Sequence, residues 1–89
     1  MFPSKTINNI NTMGDELYKQ SDNYHKKANE YRESGELEGA LINYLLSSSS
    51  LYNYLKIENP VEKQIKEDEA KKMLTENIQW IVPLQEKLK

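Results

Sequence analysis

Apolar and small residues recur at steps of three and four along nearly all of this 89-residue chain. Such spacing places them on one face of an α-helix, and the strict alternation that would indicate a β-strand occurs nowhere. Two breaks interrupt the pattern, at Ser34–Gly35 and at Asn59–Pro60. Glycine and asparagine commonly follow the last turn of a helix, and proline disfavours helix at the residue before it. The sequence predicts an all-α fold, an antiparallel three-helix bundle with helices at about 12–33, 36–57 and 61–88.

In the first segment, the apolar and small residues form one uninterrupted stripe along a single helix face. Its members are Ile7, Ile10, Gly14, Leu17, Ser21, Tyr24, Ala28 and Tyr31. Thr12 with Asp15 three residues later is typical of a helix N-cap, so the helix is predicted to begin near Thr6 or Thr12. Residues 1–11 are then an N-terminal extension or an extra helical turn, and residues 12–89 form the three-helix domain.

The middle segment carries two adjacent stripes. The first consists of Leu37, Leu41, Tyr44, Ser48, Leu51 and Leu55, and the second of Ile42, Leu45, Ser49 and Tyr52. Because the two stripes cover more than half of the circumference, this helix is predicted to be the middle one and to contact both neighbours. Leu46 and Tyr54 fall at or beyond the edges of the predicted buried arc.

The third segment contains a proline within its stripe. The stripe consists of Ala70, Leu74, Asn77, Ile81, Leu84 and Leu88, with Met73 and Trp80 along one side. Pro83 removes one backbone hydrogen bond, which predicts a kink or an early end of the helix near residues 79–82. Together the segments predict a core that includes Leu41, Tyr44, Leu51, Leu74 and Ile81.

Two apolar residues of the third segment do not fit its stripe. At 100° per residue, Ile78 lies about 100° and Val82 about 140° from the centre of the stripe. The two are four residues apart and share one exposed flank. An apolar pair beside a helix–helix groove is how a site for a helix or an extended peptide is built, although single exposed apolar residues are also normal.

Few side chains in this sequence are suited to catalysis. There is no cysteine and His25 is the only histidine, so no zinc site is expected, and His25 is predicted to face solvent. The serines at 47–50 lack a glycine elbow and a second base. Ser48 and Ser49 are interpreted as small residues where helices approach closely. We expect no enzyme activity, no cofactor and no metal.

Charge and hydropathy exclude further classes of partner. The net charge of −2 gives no basic footprint for nucleic acid. No apolar run approaches the roughly 18 residues of a membrane span, so direct membrane insertion is not expected. A soluble cytoplasmic domain is the expectation.

A motif at the first break resembles a known family. The run is Ala28-x-x-Tyr31-x-x-x-Gly35-x-Leu37-Glu38-x-Ala40-Leu41-x-x-Tyr44, continuing to Leu51-x-x-x-Leu55-Lys56. It resembles the first helix–turn–helix of a microtubule-interacting and transport (MIT) domain. It is also similar to one tetratricopeptide unit, but that pattern has a proline where this chain has Tyr52, and a second copy about 34 residues later. The single three-helix unit is more similar to the MIT family.

The resemblance implies a non-catalytic adaptor. MIT domains bind short C-terminal motifs of ESCRT filament subunits, in the groove between helices two and three or between helices one and three. Aligning Leu84 and Leu88 with the end of the family's third helix puts Ile78 at a groove-lining leucine and Val82 at an acidic position. Val82 and Pro83 depart from the family pattern and favour a more apolar or divergent ligand.

The predicted peptide-binding residues are Ile78, Val82, Leu46, Ile81 and Trp80. The resemblance implies as partner a short helical or extended motif of an ESCRT subunit tail or an autophagy factor, which would recruit the chain to endosomal or autophagic membranes. Two alternatives remain open. One is a dimerisation or assembly module like the N-terminal regions of endosomal deubiquitinases, with a weak homodimer possible. The other is a subunit-docking domain of an autophagy lipid-kinase complex.

Overall fold

The computed structural model of the chain contains three α-helices: α1 (Phe2–Glu33), α2 (Leu37–Lys56) and α3 (Pro60–Lys87). It describes the backbone of residues 2–56 and 60–89, and the side chains of residues 14–56 and 67–89. Within those ranges there is no strand, which confirms the predicted all-α three-helix fold. The helix α1 begins at Phe2, ahead of both predicted starts. The side chains of Ile7 and Ile10 and the predicted break at Asn59 lie outside the described residues.

The turn between α1 and α2 is built around Gly35. This residue has a φ of 86°, a left-handed conformation that glycine adopts without steric cost. The Glu36 amide donates to the Tyr31 carbonyl at 2.8 Å, and the Gly35 amide donates to the Arg32 carbonyl at 3.2 Å. These two bonds form a Schellman cap, which satisfies the last carbonyls of α1. The chain therefore enters α2 within three residues of leaving α1.

The contacts between helices follow a consistent order. Residues early in α1 contact residues late in α2, as the Tyr18 and Tyr54 rings do edge-to-face at 5.6 Å. Residues late in α1 contact residues early in α2, where the Tyr44 hydroxyl donates to Asn29. Contacts from α1 to α3 run instead in the same direction along both helices, from Tyr18 with Glu69 to Arg32 with Trp80. This is the order of an up–down–up path.

The core consists of two apolar clusters with a polar layer between them. The first cluster contains Ala28, Ala40, Tyr44 and Leu84, and the second contains Leu51, Tyr54, Ala70 and Met73. The polar layer contains Ser21, Ser47 and Asn77, all fully buried. The predicted burial of Tyr44 and Leu51 is confirmed. Leu41, Leu74 and Ile81, predicted to be buried, are half-buried and pack against the edges of the clusters.

One of the two stripes on α2 does not pack against a neighbouring helix. Ile42, Leu45, Ser49 and Tyr52 are exposed and lie outside the buried arc, contrary to prediction, although α2 contacts both other helices as predicted. The reason is that α1 and α3 also contact each other, so both lie against the same side of α2. On that side Ser47 and Ser50 are the buried serines, rather than Ser48 and Ser49. Tyr54, predicted at an edge, is 5% exposed because Tyr18 covers it.

The helix α3 runs through Pro83 without ending. It extends to Lys87, so the predicted early end near residues 79–82 is wrong. Pro83 deprives the carbonyl of Gln79 of its helical donor. Both residues are exposed, so water can bond to that carbonyl and the helix loses little. Leu88, predicted on the core stripe, is 42% exposed beyond the end of α3.

Candidate functional site

Two neighbouring apolar side chains of α3 are in solvent. Ile78 is 50% exposed and Val82 is 56% exposed, one helical turn apart. Ile81, between them in sequence, is half-buried and packs against the first cluster. We call Ile78, Ile81 and Val82 the α3 apolar surface. Its members stand at positions i, i+3 and i+4, so they are neighbours on the surface of α3.

The α3 apolar surface continues an existing contact between α3 and α2. Leu41 of α2 and Ile81 of α3 pack against the same cluster. Leu45 follows Leu41 by one turn of α2 and is 45% exposed. Ile78 precedes Ile81 by one turn of α3. The exposed residues therefore extend the outer edge of the α2–α3 interface, where a groove-bound segment would lie.

Leu46 lies on a different side of α2. It follows Gly39 by seven residues, two helical turns, and so shares its side of the helix. Gly39 faces α1, because a Cβ atom on it would lie 3.1 Å from the Tyr31 ring. Leu46 is 42% exposed on this α1 side. The structure therefore does not bring Leu46 together with Ile78 and Val82.

Trp80 belongs to the contact between α3 and α1. The Arg32 guanidinium carbon lies 3.8 Å from the centroid of the Trp80 ring, a cation–π contact. Arg32 also donates from Nε to the Tyr44 hydroxyl at 3.0 Å, which fixes the guanidinium over the ring. Trp80 is 38% exposed, on the opposite flank of α3 from Ile78. A ligand touching Trp80 would bind the α1–α3 side.

An open cleft of about 340 Å³ lies between α1 and α3. Its lining is mostly charged or polar and consists of Tyr18, Asp22, His25, Glu69, Lys72, Met73 and Glu76. The Tyr18 hydroxyl donates to Glu69 Oε2 at 3.1 Å. Burial, that hydrogen bond and the Glu69 charge together raise the pKa of Tyr18 above its ordinary value. Sequence reasoning missed this cleft because no stripe reveals which polar residues of α1 and α3 meet.

Beneath the cleft, His25 joins the polar layer of the core. Its Nδ1 lies 2.7 Å from Asn77 Oδ1, and its side chain is 14% exposed, so the predicted solvent-facing histidine is wrong. Asn77 donates its amide to Ser47 Oγ at 2.9 Å, so its oxygen faces His25, an arrangement that matches the tautomer with the proton on Nδ1. Ser47 donates in turn to the Ser21 carbonyl at 2.7 Å. These donors and acceptors satisfy one another, which is the arrangement of a structural network.

Neither the described side chains and helices nor the comparisons with known proteins assign a further functional site. Among residues 14–56 and 67–89, no group of three or more histidine, cysteine, aspartate or glutamate side chains could hold a metal ion. In the part of the chain that is described, no helix is long and apolar enough to cross a membrane. No family model, no curated protein and no solved structure matches this chain.

Proposed function

We propose that this chain is a non-catalytic protein-interaction domain of the MIT type, which binds a short motif of a partner protein against the α3 apolar surface. The observation that carries the proposal is the exposure of Ile78 and Val82, one turn apart on α3 beside half-buried Ile81. The resemblance supports it independently, because its groove-lining leucine falls on Ile78. The partner would be an ESCRT filament subunit tail or an autophagy factor, which would recruit the chain to endosomal or autophagic membranes.

The chemistry of the surface defines the kind of motif. Val82 stands where the MIT pattern has an acid, so the ligand residue opposite it is apolar rather than basic. Fully burying an aliphatic side chain of this size contributes about 1.5–3 kcal/mol, and binding gains only part of this because Ile78 is 50% and Val82 is 56% exposed beforehand. A single short motif must also offset its own loss of conformational freedom on binding. We therefore expect a reversible complex of micromolar or weaker affinity.

Chemical-shift mapping on the ¹⁵N-labelled chain tests the proposal. Peptides from ESCRT filament subunit tails and from autophagy factors are titrated to millimolar concentration. We expect one class to shift the amides around Ile78, Ile81 and Val82, and around Leu45 across the interface. Shifts confined to the cleft lining, such as Tyr18 and Lys72, would refute the assignment to the α3 apolar surface. The absence of shifts on α3 with both classes would refute the function.

A further inference from the structure

The side of α2 that faces away from the core carries an ordered row of residues. We call this row the outer α2 stripe; it consists of Glu38, Ile42, Leu45, Ser49, Tyr52 and Lys56, all exposed. Tyr52 is 57% and Ile42 is 54% exposed, the first and the third most exposed large apolar residues among those described. The steps alternate between four and three, the spacing of the seam between two packed helices. No helix of the described chain covers this seam.

The outer α2 stripe is complementary to a second copy of itself that runs in the opposite direction. Reversing its order exchanges Glu38 with Lys56, and Ile42 with Tyr52. It also exchanges bulky Leu45 with small Ser49. A second copy lying antiparallel along the stripe would therefore set acid against base at both ends, with apolar residues between them. A parallel copy would set Glu38 against the second copy's Glu38, and like charges at that distance repel.

We propose that two copies of this chain associate through their outer α2 stripes, antiparallel and around a two-fold axis. Such an interface is self-complementary, as the symmetry of a two-fold dimer requires. Lys56 Nζ lies 4.4 Å from the centroid of the Tyr52 ring, which holds the positive charge against the stripe. The contact from Glu38 to Lys56 would extend about 27 Å at 1.5 Å per residue.

The proposed dimer does not depend on peptide binding, and its surface meets the α3 apolar surface at Leu45. The stripe lies on α2 opposite the core, so the partner copy approaches without displacing α1 or α3. It would leave the α3 apolar surface accessible at Ile78 and Val82. An interface along one helix of this length belongs to the small, weak class, so we expect a monomer–dimer equilibrium that depends on concentration.

Sedimentation equilibrium from micromolar to millimolar concentration, combined with charge reversal, tests the proposal. Glu38→Lys replaces two attractive contacts per dimer by two repulsive ones and should weaken dimerisation by about tenfold. Lys56→Glu should do the same, and the double variant should restore the wild-type constant. Glu36→Lys is the matched control, since it adds the same charge at the same end of α2 but off the stripe. Circular dichroism of each variant separates loss of association from loss of helix.

Four results would overturn the proposal. The first is a wild-type chain that remains monomeric at millimolar concentration. The second is a dimer that persists in Leu45→Asp, which puts a charge in the middle of the stripe. The third is a double charge-reversal variant that dimerises no better than the single ones, because rescue requires the antiparallel pairing. A dimer lost in Ile78→Asp but retained in Glu38→Lys would likewise place the interface elsewhere.

Discussion

Asn77 donates its side-chain amide to the Ser47 hydroxyl at 2.9 Å, where both residues are fully buried between α2 and α3. The same layer reaches α1 twice, through the Ser21 carbonyl and through His25. Each buried polar group that loses its partner costs about 1–3 kcal/mol. Sliding one helix by a turn against the others would break several of these bonds together. The layer therefore fixes the register of the three helices, which the apolar clusters alone would not.

Replacement of Asn77 by alanine should destabilise the fold strongly. It leaves His25 Nδ1 without its acceptor and creates a void in the centre of the bundle, so we expect a loss of at least about 2 kcal/mol in urea unfolding. Gln79→Ala, at an exposed position of the same helix, should change stability by less than about 0.5 kcal/mol. Equal stabilities of the two variants would contradict the structural role assigned to the polar layer.

Two leucines of α2 are buried to different degrees, which predicts different losses of stability when each is replaced by alanine. Leu51 is fully buried in the second cluster, so Leu51→Ala should cost about 2–5 kcal/mol. Leu41 is half-buried at the edge of the first cluster, so Leu41→Ala should cost clearly less. Thermal unfolding followed by circular dichroism measures both. If Leu41→Ala proves the more damaging variant, the described order of burial on α2 is incorrect.

Alkaline pH should destabilise the fold through Tyr18. Its pKa is raised in the folded chain, first by burial and then by Glu69. The unfolded chain therefore releases this proton at lower pH than the folded chain does. Ionisation of Tyr18 does not affect stability at neutral pH, but stability falls as the pH rises from about 10 through the folded-state pKa of Tyr18.

The contribution of Glu69 to that shift is separable. Glu69→Gln removes the negative charge beside Tyr18 and should lower the pKa of Tyr18 in the folded chain. Ultraviolet titration of tyrosinate measures it, with the Tyr18→Phe difference spectrum identifying the Tyr18 contribution. An unchanged Tyr18 titration in Glu69→Gln would show that the contact with Glu69 does not influence the ionisation.

The helical architecture could be predicted from the sequence because it depends on local signals. The three- and four-residue steps and the break at Gly35 are properties of short stretches of chain. The inward side of α2 could not be predicted in the same way. Its two stripes are similarly apolar, and the choice depends on where Ala40 and Ser47 allow neighbouring helices to approach. That choice left Ile42 and Tyr52 in solvent.

The same distinction between local signals and contacts from other helices applies to the residues of the candidate site. The exposure of Ile78 and Val82 was predicted from their angular distance to the stripe on their own helix, and the structure has both exposed. The surroundings of Trp80 and His25 depend on Arg32 and Asn77, residues from another helix. A one-helix pattern contains no information about such pairs. For this reason the sequence predicts Leu46 in a site from which the packing of α2 separates it.

The affinity of one variant tests the central claim most directly. Calorimetry compares the wild-type chain, Ile78→Asp and Gln79→Asp, using the peptide that gives the largest shifts on α3. Ile78→Asp puts a charge where the ligand's apolar side chain would be buried, and we predict at least about tenfold weaker binding with unchanged helicity. Gln79→Asp adds the same charge about 100° around α3 from Ile78, away from the α2–α3 interface, and should bind more like the wild type than Ile78→Asp does. Equal affinity of Ile78→Asp and the wild-type chain would contradict the account.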